Sequence, residues 1–174
     1  MILVLGAPDP VAVRLMEFLT EAKLSVATVL DPAIPVELPR SVKIYPGDAA
    51  RIDFGLSGSE YRELLEDVTE LALLETDSTS RDALPGAARP GDVENSRVVR
   101  TAAEAMEFVK AGGAKGGVRF LSSLLVFGGT SGRVKEDDFR VGQTFRDTHE
   151  ESLAVAEKLI AAVKFKCPLS IVRT

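Results

Sequence analysis

The residues in this chain that could do chemistry are few, and their neighbours say what each could do. The single histidine, His149, has an ordinary pKa of about 6.5, which suits proton transfer at neutral pH. It stands among Asp147, Glu150 and Glu151 on a stretch of helical period, where a solvated helix-face histidine is the plainer reading. The single cysteine, Cys167, can form no intramolecular disulfide and borders an apolar run, so a buried, inert thiol is expected. One histidine and one cysteine cannot build a His/Cys zinc cage within the chain. Ser122 and Ser123 interrupt an apolar run, a place where a hydroxyl commonly bonds backbone rather than substrate. The only tyrosines are Tyr45 and Tyr61, with Ala49 and Leu65 four residues on. Neither has a cation one helical turn away to draw its proton off.

Apolar runs of strand length alternate with segments of helical period across the whole chain. Residues 2–5, 26–30, 42–45, 70–74, 118–127 and 169–173 read as strands. Residues 11–22, 59–66, 93–111 and 145–164 read as helices, the first carrying Val11, Leu15, Met16, Phe18 and Leu19 on its apolar side. Residues 76–91, rich in Pro, Gly, Ser and Asp, read as a surface loop, and 130–144 as polar and irregular. Such alternation is the signature of βαβ units and a parallel sheet buried on both faces. The expectation is one α/β domain over 1–174, a doubly wound Rossmann-like sheet of about six strands. Right-handed crossovers favour the order 3-2-1-4-5-6, although periodicity alone supports a flavodoxin-like order nearly as well.

Composition narrows the function classes. Of 174 residues, 45% are hydrophobic and 27% charged, the ordinary range for a globular chain. The 21 basic residues are scattered against 26 acidic ones, for a net charge of −5, so no phosphate-tracking stripe exists and nucleic acid is not an expected partner. The start, MILVLG, lacks the basic segment and apolar stretch of a signal peptide, and no run approaches the roughly 20 apolar residues of a membrane span. A cytoplasmic protein without a membrane partner is expected.

Several strings, in order, resemble the extended short-chain dehydrogenase/reductase family, which includes nucleotide-sugar epimerases and thioester reductases. Leu3-Val4-Leu5-Gly6-Ala7 resembles the opening of that family's G-A-x-G-x-x-G turn. Thr28-Val29-Leu30-Asp31 resembles its second strand ending in an acid, and Gly47-Asp48 its G-D after the third. Gly55-Leu56-Ser57 with Glu60-Tyr61-Arg62-Glu63-Leu64 is similar to the thioester-reductase branch. Asn95 resembles an Asn that opens a helix, residues 121–128 (LSSLLVFG) the serine strand, and residues 145–159 the active-site helix.

The resemblance implies a cofactor site and a catalytic set, and this sequence departs from both. In a dinucleotide-binding turn, glycines let the backbone approach the pyrophosphate at a helix N-terminus. Here the string is Gly6-Ala7-Pro8-Asp9-Pro10-Val11-Ala12: Asp9 stands at the middle glycine and Ala12 at the last. Asp9 before Pro10 predicts a helix N-cap worth about 1 kcal/mol, whose carboxylate would repel a phosphate. Glu75 and Thr76 stand where the family has small residues lining the cofactor. By resemblance, Asp31 is placed to accept from an adenosine ribose and Asp48 to contact adenine, although an Asp after a strand is more plainly a turn residue. No cofactor is expected; Asp31 would favour NAD(H) over NADP if one bound.

The family's catalytic tyrosine and the lysine one turn later align with His149 and Leu153, and its serine with Ser123. No Y-x-x-x-K exists anywhere in the chain. The expected function is therefore a non-catalytic, pseudoenzyme-like domain acting as a protein-interaction or regulatory scaffold. A nucleotide-responsive regulator that keeps adenosine binding, or a reductase or epimerase with an unusual active site, are the alternatives. The expected partner is a protein, including a second copy through helices 93–111 and 145–164, since the family commonly dimerises there. Val98, Val99, Ala102, Met106 and Val109 are the apolar residues offered by the first helix, and Leu153, Ala156, Leu159 and Ile160 by the second. Family members also continue past the strand resembling 169–173 into a substrate-binding lobe, so the expected fold is that of the family's Rossmann part with the substrate lobe missing.

Overall fold

The computed structural model describes residues 1–6, 8–74, 93–135, 143–163 and 167–174. Its strands are β1 (Ile2–Leu5), β2 (Val26–Leu30), β3 (Lys43–Pro46), β4 (Glu70–Leu73), β5 (Gly117–Ser122) and β6 (Leu169–Arg173). Its α-helices are α1 (Pro10–Glu21), α2 (Gly58–Asp67), α3 (Arg97–Lys110) and α4 (Thr148–Ala162). All neighbouring strands pair parallel in the order β3-β2-β1-β4-β5-β6, the doubly wound arrangement, and the flavodoxin-like alternative falls away.

The period-2 alternation of the strands builds the two layers. Leu3, Leu5, Leu71, Leu73, Val118 and Phe120 belong to one core with residues of α2, α3 and α4. Val4, Ala72 and Leu74 belong to the other, with Ala12 and Met16 of α1. Among the described residues, each of the four α-helices starts on a side-chain cap. Asp9 takes the Val11 amide, Ser57 forms a reciprocal capping box with Glu60, Ser96 takes the Val99 amide and Asp147 the Glu150 amide.

These caps correct several expected boundaries. The helix expected over 93–111 begins with a short 3-10 turn, Val93–Asn95, and becomes α-helical only after Ser96. The helix expected from 145 starts at Thr148, because Asp147 takes an extended conformation and caps it. The strand expected over 118–127 ends at Ser122. Ser123 receives the Leu125 amide at 3.3 Å and opens a 3-10 turn, Leu124–Phe127. An apolar run of that length is compatible with either conformation, and the serine decides where one stops. The loop expected over 76–91 lies outside the described residues.

The apolar residues offered for a helix-mediated dimer are mostly taken by the chain itself. Val98, Val99, Ala102 and Met106 of α3, and Leu153, Ala156 and Ile160 of α4, are all buried, while Val109 and Leu159 are partly so. Helices α3 and α4 pack against one another, and a helix buries one stripe at a time. What they turn outward is largely polar, with Arg100, Glu107 and Lys110 exposed on α3. No described helix is long and apolar enough to cross a membrane.

Candidate functional site

In an open parallel sheet, ligands bind outside the carboxyl ends of the strands, where the strand order reverses. Here that point lies between β1 and β4, and the turn from β1 into α1 forms its floor. Gly6 leaves β1 with φ of +128° and comes so close to β4 that an added Cβ would run into the Leu74 carbonyl. The glycine is thus required by contact between two strand ends, whatever else the turn does. The Asp9 amide then donates to the Gly6 carbonyl at 2.9 Å, closing the turn.

Asp9 is 5% exposed, and its Oδ1 accepts the Val11 amide at 2.7 Å. Pro10 has no amide to offer, so the first free donor of α1 already faces a carboxylate. Ala12 follows, fully buried against the sheet. The spot where a helix dipole would attract a bound anion holds an anion belonging to the protein. Glu75, the other carboxylate expected there, lies outside the described residues.

The two acids that resemble adenosine contacts have local structural roles. Asp31, exposed at the end of β2, accepts the Ala33 amide at 2.9 Å and shapes a turn. Gly47 precedes Asp48 because an added Cβ would strike the Phe54 carbonyl. Asp48 accepts the Ala50 amide at 3.1 Å and the Arg97 guanidinium at 2.7 Å, with Arg51 at 3.7 Å. Partial burial is the largest single influence on its carboxyl and pushes the pKa up. The Ala50 amide and the charges of Arg97 and Arg51 together outweigh it and hold the group below its usual range.

The positions resembling a catalytic set are dispersed in role. Ser123 donates to the Thr174 carbonyl at 3.2 Å, so its hydroxyl stitches β5 to the end of β6. His149 sits in the first turn of α4, half-buried. Leu153, one turn later, is 3% exposed and belongs to the main core. Tyr61 is no substitute acid/base: its ring packs in a cluster with Phe54 and Phe108, centroids 6.0 and 5.8 Å away. Burial first, then Asp53, Glu104 and Glu107, push its phenol up to about 12. Tyr45 lies in the core with the Lys43 ammonium over its ring. Cys167 is half-buried against the core.

Sequence reasoning missed two buried acids on α4. Glu157, 2% exposed, receives Arg173 through two parallel bonds of 3.0 and 2.9 Å, and the same guanidinium stacks on Phe127 at 5.0 Å. This fork ties α4, β6 and the turn after β5 together at the strand ends. Glu150, also 2% exposed, accepts the Arg146 amide at 3.0 Å and its guanidinium at 2.7 Å. The amide chiefly, then the guanidinium, outweigh burial and lower its pKa. A signal was available, since Glu157 falls on the stripe of Leu153, Ala156 and Ile160, where an acid needs a partner.

No family model matches the chain, and no curated protein is similar to it in sequence. Solved structures are similar in shape. The terminal R domain from the myxalamid PKS-NRPS biosynthetic pathway superposes with a TM-score of 0.76 at 18% identity, over 99% of this chain and 47% of that one. An NAD-dependent NDP-hexosamine 5,6-dehydratase involved in tunicamycin biosynthesis gives 0.71 at 16% identity, over 99% and 53%. A UDP-galactose 4-epimerase gives 0.70 at 17%, over 99% and 54%. The chain spans about half the length of these proteins. It therefore has the Rossmann-type fold of the extended short-chain dehydrogenase/reductases, the family that its ordered motifs resemble.

Proposed function

We propose that this domain keeps the reductase-type sheet as a scaffold and works through protein contacts rather than hydride transfer, without binding NAD(P) in the usual way. The observation that carries this reading is the Asp9 carboxylate capping α1 at 2.7 Å, nearly buried, where a pyrophosphate would need the same amide. Two further features support it. The side chain in the lysine position, Leu153, is committed to the core, and the residue in the tyrosine position, His149, has no tyrosine-lysine geometry around it. The residues present thus do not fit the dinucleotide.

Titration with NAD+, NADH, NADP+ and adenosine monophosphate, read by calorimetry and thermal unfolding, tests this reading. The expected result is no heat and no stabilisation at sub-millimolar ligand. Micromolar binding of NAD(H), or turnover of a carbonyl or nucleotide-sugar substrate, would overturn it. Stabilisation by the nucleotide monophosphate alone would instead support the regulator reading. That alternative draws on Asp31, whose carboxylate stays exposed at the end of β2.

Protein partners include a second copy. With their apolar stripes buried, α3 and α4 would meet a partner through their outer faces, where Arg100, Glu107 and Lys110 on α3 and the half-buried Glu151, Val155 and Lys158 on α4 stand. A reductase or epimerase with an unusual active site has no side chain among the described residues to recommend it over the scaffold.

A further inference from the structure

We draw no further inference here: the strongest candidate, the apolar surface on the α1 side of the sheet where Val172 of β6 lies exposed beside Leu121 and α1 leaves Val11 and Phe18 exposed, carries nothing because nothing in the structure shows what covers it.

Discussion

The first turns of α1 and α4 begin with the same device and differ in everything around it. Asp9 and Asp147 each cap a helix, with carboxylate-to-amide distances of 2.7 and 2.9 Å. Asp9 is nearly buried at the floor of the strand-end cleft. Asp147 is exposed, and the ionic weight at its helix passes to the buried Glu150 and Glu157 behind it. One cap is thus a nearly buried charge at the strand ends, while the other starts a helix in which the hidden Glu157 reaches across to Arg173 of β6. The two carboxylates cap by different spacings, Asp9 to the second residue on and Asp147 to the third, but the larger difference between them is burial.

The contrast is sharpened most by removing what α4 hides. Glu157→Ala removes the carboxylate fork from the Arg173 guanidinium, only 11% exposed, and should cost about 3 kcal/mol in urea unfolding. Replacing both members by leucine should recover much of that loss; an equally unstable double variant would show that the pair contributes through attraction and not merely by mutual neutralisation. Leu153→Ala should cost about 3 kcal/mol, the value for a core leucine, in the same measurement. A loss under about 0.5 kcal/mol would put Leu153 at a surface and reopen the position to chemistry.

Smaller effects belong to the caps. Asp9→Ala should destabilise by about 1 kcal/mol, and Asp9→Gly by less, since glycine is tolerated at a cap. If Asp9→Gly acquires a stabilisation by phosphate or NAD+ that the wild type lacks, the carboxylate is the block; an unchanged response locates the block elsewhere. Acid should reveal Glu150 last. Its folded pKa lies below the ordinary 4.5, so its stabilisation is present above that value and is lost as pH falls through the lower folded one. Glu150→Gln should therefore flatten the acid limb of stability against pH without altering its shape near neutrality. Asp48, lowered in the same sense, should leave a residual slope in that variant.

Much of the fold was legible in the sequence because burial on both faces leaves continuous apolar runs, and β1, β2 and β6 appear at their expected residues. The cap at Asp9 was equally readable, since its signal lies within three residues. The end of β5 was not, because Leu124-Leu125-Val126-Phe127 suits a strand or a tight turn alike, and the choice fell to the Ser123 hydroxyl, which accepts the Leu125 amide and donates to the Thr174 carbonyl. Nor was the partner of Glu157 readable, since 16 residues separate it from Arg173 and only the packing of α4 over β6 brings the two within reach.

What the sequence by itself determined is which groups are present to act: one histidine, no tyrosine followed at four residues by lysine, and an aspartate in a turn where glycine would admit a phosphate. Identity and short-range spacing decide those matters, because they depend on bonded neighbours. Only the tertiary structure decided which charges are hidden, which are paired, and which apolar residues of α3 and α4 lie in the core. Burial and long-range ion pairs are properties of surfaces brought together by folding. No window along the chain contains both sides of such a contact.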